Sequence, residues 1–188
     1  MQRLPTVITT SVVRSSHQGE SHGGIYLVDL ETGLTDRKID WNTCDIDWQG
    51  RGGDRGLRGI AFHDDLLYIA ASNEIIVYDP DFNRIRSLRN EYLGHCHEIT
   101  AHGGRLYITS TGYDSVLVYD INEDRFAVAY YARLDGDRGF SLTAFDPGAP
   151  GGPASGDSLH LNSVSVDSDG LHIAGHQLPF LIEINASG

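Results

Sequence analysis

Residues 57–88 read LRGIAFHDDLLYIAASNEIIVYDPDFNRIRSL. Apolar and polar residues alternate in runs of about five, rich in Ile, Val and Tyr, and the runs are broken at HDD, SN and DPDFN. That pattern encodes short strands separated by turn-forming residues, since a strand shows successive side chains to opposite faces. Four strands result, here lettered a to d: RGIAF, LYIAAS, EIIVYD and RIRSL.

The same order recurs. Residues 96–130 read CHEITAHGGRLYITSTGYDSVLVYDINEDRFAVAY, and residues 161–185 read LNSVSVDSDGLHIAGHQLPFLIEIN. Residues 7–41 repeat the later part of the unit in VITTSVV, GGIYLVDLETG and LTDRKIDW. No stretch carries a helical period long enough for a helix. A unit of roughly 40 residues with four antiparallel strands is the sequence signature of a β-propeller blade. A β-sandwich also has short, regularly spaced strands, but it has no reason to repeat their sequences. The expectation is an all-β chain, a β-propeller of four-stranded antiparallel blades. About four are present, at approximately 5–41, 57–90, 95–132 and 159–188, the first without strand a and the last without strand d. Such a chain has uncovered sheet edges, so completion by further sequence or by self-association is expected.

Composition narrows the function classes. The chain has 188 residues and a formal net charge of -12, with 40% hydrophobic residues. An acidic surface disfavours nucleic acid and anionic membranes, where Lys and Arg supply most of the affinity. No apolar run reaches the ~20 residues of a membrane span. Cys44 and Cys96 stand alone, in no CxxC or zinc spacing, and no secretory leader pattern opens the sequence. Both observations point to a reducing, cytoplasmic setting.

Propeller geometry gives the loops a direction. Connections from d to a and loops from b to c emerge on one face, and the a–b and c–d turns on the other. The a–b and c–d turns are short. The long segments are RSSHQGESHGG (14–24), a b–c loop, and two d–a connections, residues 42–56 and 132–160. All fall on one face, where binding residues tend to lie on a rigid scaffold. Trp41 and Trp48 flank the first connection and are expected to cap a blade edge.

Aligning Ile60, Ile99 and Val164 puts Arg58, His97 and Asn162 at one level at the mouth of the central channel, with His95 and His160 just above. The b–c loops add His17, Glu20 and His22, then Tyr113 and Asp114, then His176. Six of the nine histidines thus map to one rim. A histidine cluster suits a metal, an anion or proton transfer. His97 and Asn162 are the candidate holders of a divalent cation, and His97, His160 and His17 the candidate proton carriers. Arg58 would clamp a carboxylate, with His95, Glu20, His22, His176 and Asp114 as further ligand contacts. Glu98 falls on the opposite strand parity, and Cys96 is expected to pack between blades. No GxSxG elbow occurs, and DPDFN and DSDG read as turns rather than calcium loops.

HLNSVSVDSDGLHIAG (160–175) resembles the blade motif of the gluconolactonase and NHL-repeat propellers. In gluconolactonase-like enzymes the matching Asn is a ligand of a central divalent cation, which the resemblance carries to Asn162. Arg58 and His97 depart from that family's pattern. The chain also resembles the N-terminal half of a group of uncharacterised bacterial propeller proteins, through SVVRSSHQGESHGGIYLVDL, DWQGRGGDRGLRGIAF and GHCHEI. The expected function is a ligand-binding propeller with a His-rich axial site for a small molecule or a divalent metal. The alternatives are a non-catalytic protein-interaction scaffold using the same face, and a metal-dependent hydrolase, lactonase or lyase.

Overall fold

The computed structural model describes residues 4–17, 19–42, 56–136 and 139–185. Fifteen strands form four antiparallel sheets, and no helix occurs among the described residues. Sheet 1 is β1 (Thr6–Thr10), β2 (Gly24–Asp29) and β3 (Thr35–Asp40). Sheet 2 is β4 (Ile60–His63), β5 (Leu66–Ala71), β6 (Glu74–Tyr78) and β7 (Arg84–Leu88). Sheet 3 runs β8 (Cys96–His102), β9 (Arg105–Ser110), β10 (Ser115–Asp120), β11 (Arg125–Asp135) and β12 (Gly139–Phe145). Sheet 4 is β13 (Leu161–Val166), β14 (Gly170–Gly175) and β15 (Ile182–Asn185). The arrangement is that of an incomplete β-propeller.

Sheets 2 and 3 are apolar on both faces near their middle, so stacking neighbours is what buries them, whereas sheet 4 turns Val164, Leu171, Ile173 and Ile182 to one face and Ser163, Ser165, His172 and Glu183 to the other. Ile25, Leu67, Ile69 and Ile76 lie between sheets 1 and 2, and Tyr68, Ile75, Ile99 and Ile108 between sheets 2 and 3. Leu161, Ile173 and Ile182 fill the next interface with Val116 of sheet 3. Each fully buried Ile or Leu contributes about 1.5–3 kcal/mol relative to exposure. Trp41 is buried in the first interface; Cys44 and Trp48 lie outside the described residues.

The strand-end aspartates explain why these strands stop where they do. Asp79 Oδ1 accepts N–H bonds from Asp81 (3.0 Å) and Asn83 (2.8 Å), and Asp120 Oδ1 from Asn122 and Glu123. Asp167 Oδ1 does the same for Asp169 and Gly170, which makes DSDG a carboxylate-stapled turn. The Asn83 side-chain amide, which donates to Asp79 Oδ2, and then its backbone N–H hold the Asp79 carboxyl below its ordinary value, and backbone N–H bonds do the same first of all for Asp120 and Asp167.

One expectation is corrected. Residues 132–160 read as an irregular connection, but β11 continues to Asp135 and β12 returns beside it, pairing Ala129 with Phe145. The third sheet therefore has five strands rather than four. The sequence FSLTAF alternates weakly, and its Gly-rich neighbours hid the strand. The irregular part begins after Phe145.

Candidate functional site

The innermost strands of sheets 2, 3 and 4 begin with an irregularity at the same level. In β8 the register slips between Cys96, paired with Ser110, and Ile99, paired with Ile108, so His97 and Glu98 together oppose Thr109. In β13 it slips between Leu161 and Ser163, with Asn162 as the extra residue. In sheet 2, Arg58 N–H donates to Ala70 O (2.9 Å) while Ala70 N–H donates to Gly59 O (2.9 Å). A β-bulge re-aims side chains by placing two residues against one.

Thr109 pins the bulge in β8. Its Oγ1 accepts the Glu98 N–H at 2.9 Å and donates to Glu98 O at 3.1 Å. Gly59 lets the neighbouring strand come close: its N–H donates to His97 O at 2.7 Å, and a Cβ there would stand 2.7 Å from Ile99 N.

The result is an axial recess of about 500 Å3. Arg58, His97, Glu98 and Asn162 line it, with Thr10 and Ser11 of sheet 1 closing one side. Strict strand alternation turns Glu98 away from the axis, and the bulge reverses that parity. The signal available in sequence was the polar pair His97–Glu98 where strict alternation would place one residue. Burial raises the Glu98 carboxyl above its ordinary value, against a lowering hydrogen bond from Ile99 N–H.

Beside the recess stands a row of histidines. The rings of His97 and His160 meet edge to face at 5.4 Å between centroids, and those of His160 and His176 at 6.1 Å. His160 Nδ1 lies 2.9 Å from Asp157 Oδ1, which orients the imidazole and leaves Nε2 as the other nitrogen for chemistry. Asp157 was missed because it sits in a Gly- and Pro-rich segment with no pattern around it. His95 does not join this row. It lines a second recess of about 620 Å3 with Ser72, Arg89, Tyr113 and Ser155.

Other expected ligand residues are engaged in structure. Asp114 is buried, and its carboxylate accepts backbone N–H bonds from Ser158 (2.7 Å), Leu159 (3.0 Å) and His160 (3.2 Å). It fastens the connection that carries His160, and does not line the recess. Burial raises its carboxyl despite those three donors, with the Asp157 charge adding to the rise. His22 is fully buried and meets Trp41 edge to face at 6.2 Å, so it is an interface residue and not a rim ligand. Glu20 accepts the His17 N–H at 2.8 Å within its own loop. His17 is exposed there and does not line the recess. Cys96 is fully buried in apolar surroundings that push its thiol up to about 12, so it packs, as its strand position implied.

A central divalent cation does not fit these residues. Among the described residues no three His, Cys, Asp or Glu side chains come together to hold a metal. Arg58 also lines this recess, and its positive charge opposes a cation there. His97 and Asn162 share the recess but lack the donor set that the gluconolactonase resemblance implied.

No family model matches the chain, and no curated protein matches it. Solved structures match its shape at low identity. Sqt1 of Saccharomyces cerevisiae is 9% identical with a TM-score of 0.51, over 93% of this chain and 40% of that one. The glutaminyl cyclase of Myxococcus xanthus is 14% identical with a TM-score of 0.46, over 98% of this chain and 75% of that one. The AfRom2 CNH domain is 13% identical with a TM-score of 0.44, over 76% of this chain and 52% of that one. The chain thus spans less than two thirds of Sqt1 and of the CNH domain. Only the likeness to Sqt1, of the three, reaches a TM-score of 0.5, and it bears on the fold alone. No helix among the described residues is long and apolar enough to cross a membrane.

Proposed function

We propose that the axial recess binds a small polar molecule carrying a carboxylate. The observation behind this reading is the common bulge level, which brings Arg58, His97, Glu98 and Asn162 from three sheets to one recess of about 500 Å3. A planar guanidinium matches a carboxylate bidentately, and an Asn amide and a half-buried carboxyl complement hydroxyl or carbonyl groups on the remainder. The volume falls in the range of small-molecule sites.

Hydrolytic or lyase chemistry here would take its proton acceptor from His160, oriented by Asp157 and touching His97. The test is calorimetric titration with malate, citrate and gluconate, with each sample followed by NMR for turnover. One of these acids binds at one per chain, and Arg58→Ala loses about tenfold or more in affinity with the thermal midpoint kept. Failure of all three to bind, or binding indifferent to both Arg58→Ala and Asn162→Ala, would sink the proposal.

A further inference from the structure

β5 and β6 of sheet 2 are joined by Ser72 and Asn73 alone, whereas β9 and β10 of sheet 3 are joined by the longer run 111–114. Between the short loop and the long one lies the recess of about 620 Å3 that His95 lines. Every residue around it belongs to sheets 2 and 3 or to a connection fastened to them, and none of them lines the axial recess. Its volume falls in the range of small-molecule sites.

Hydrogen bonds hold this recess in shape. Gly112 N–H donates to Gly94 O at 2.8 Å and Gly156 N–H to Gly112 O at 2.9 Å, which ties three segments into one floor. Ser110 Oγ fixes the same floor, accepting the Gly94 N–H at 2.9 Å and donating to Tyr92 O at 2.6 Å. A Cβ at Gly94 would stand 3.1 Å from the Tyr113 ring, and one at Gly112 3.1 Å from His95 Cδ2, so bare backbone makes room for both rings. Tyr92 meets the Tyr113 ring edge to face at 5.6 Å between centroids and fixes its plane. At the rim, Arg89 donates to the buried Glu74 through Nε (3.2 Å) and Nη2 (3.0 Å), and its Nη1 makes no bond among the described residues.

Ser72 is the residue that points to a ligand. It is 6% exposed and lines the recess, and its Oγ has no hydrogen-bond partner among the described residues. Buried hydroxyls are ordinarily paired, so this one is satisfied by what enters. Around it stand the Asn73 amide, the Arg89 guanidinium, the Glu91 carboxylate, the Ser155 hydroxyl and the half-buried Tyr113 ring. An oxyanion finds no cradle there. The N–H groups of Asn73, Gly94 and Gly112 are already bonded, to Ala71 O, Ser110 Oγ and Gly94 O, and the exposed Glu91 repels negative charge. We infer that this recess binds a neutral sugar ring. Its hydroxyls, each both donor and acceptor, suit a lining that offers donors at Arg89 and Asn73 and acceptors at Glu91 and the serines, and its apolar face lies on the Tyr113 ring.

The probes are methyl β-D-glucopyranoside, methyl β-D-galactopyranoside, methyl α-D-mannopyranoside and cellobiose, titrated into the full chain with amide shifts read by NMR. At least one is expected to bind saturably, moving the amides of Ser72, Asn73, Gly94 and Gly112 and leaving those of Gly59 and Asn162. Ser72→Ala removes a hydroxyl that no protein group bonds, so it weakens binding roughly fivefold or more with the thermal midpoint kept. Tyr113→Leu keeps the apolar bulk, loses the flat face, and weakens binding by a similar factor. Inorganic phosphate does not displace the sugar. The inference fails if none of the four binds, if the shifts gather at the axial recess, or if both variants bind as the parent does. Displacement by phosphate overturns it too, since the recess would then be an anion site.

Discussion

The loop at 14–24 and the mouth of the inner strands carry similar residues and end differently. In the loop, Glu20 caps the His17 N–H, Ser16 Oγ donates to Val13 O and Ser21 O, and His22 is sealed against Trp41. Several of its polar groups are engaged in its own closure. At the mouth, the bulges set two residues against one, and Arg58, His97, Glu98 and Asn162 line a recess built on three sheets. A polar residue is available for a ligand when something else holds its backbone, and a histidine-rich loop that must hold itself together has little to offer. Substitutions at four positions probe that contrast.

The loop should be the more fragile of the two. Gly23 has φ +135°, and a Cβ would stand 1.9 Å from Ser11 O. Gly23→Ala is expected to destabilise by about 3 kcal/mol or more, read from urea midpoints, while leaving the recess residues in place. A small effect would mean that the loop is looser than its hydrogen bonds imply.

Asp114→Ala comes next, at roughly 2–3 kcal/mol, because three backbone donors lose a buried carboxylate. Asp114→Asn, which keeps an oxygen acceptor, should recover part of the loss. Thr109→Val removes the hydroxyl that pins the bulge and should cost about 1 kcal/mol. Its sharper effect is on ligand affinity, which should fall further than the thermal midpoint predicts, since His97 and Glu98 lose their register.

Glu98→Gln has the smallest effect and the clearest sign. The folded carboxyl sits above its ordinary value of 4.5. Its contribution to stability is therefore complete below the unfolded value and is lost as pH rises through the folded one. The parent should weaken as pH climbs from the mid-acid range, and the Gln variant should lack that segment of the slope. Urea midpoints between pH 4 and 7 decide it, and superimposable profiles would mean that Glu98 is not desolvated.

The fold was legible because strand alternation and turn chemistry are local. EIIVYD and SVLVYD carry both their pairing and their terminal Asp staple within six residues. The level shared by Arg58, His97 and Asn162 could be read by aligning repeats, since stacked sheets keep their registers. Glu98 could not, because a bulge depends on Thr109, ten or more residues away and in another strand. Asp114 was misjudged for a related reason: an acidic residue at a loop tip looks the same in sequence whether it faces solvent or a distant run of backbone N–H groups. The fifth strand of sheet 3 was hidden by glycine-rich surroundings.

The Asp114 clasp has a consequence for motion. Ser158, Leu159 and His160 are 44 to 46 residues from the carboxylate that holds them, and they follow a long stretch without strands. Left alone, such a connection would sample many shapes on a nanosecond scale. Fastened at three successive amides to sheet 3, it can release His160 only when that anchorage opens. Exchange at those three amides should then be as slow as in β10, and the timing of His160 becomes a property of the sheet beneath it rather than of the loop that bears it.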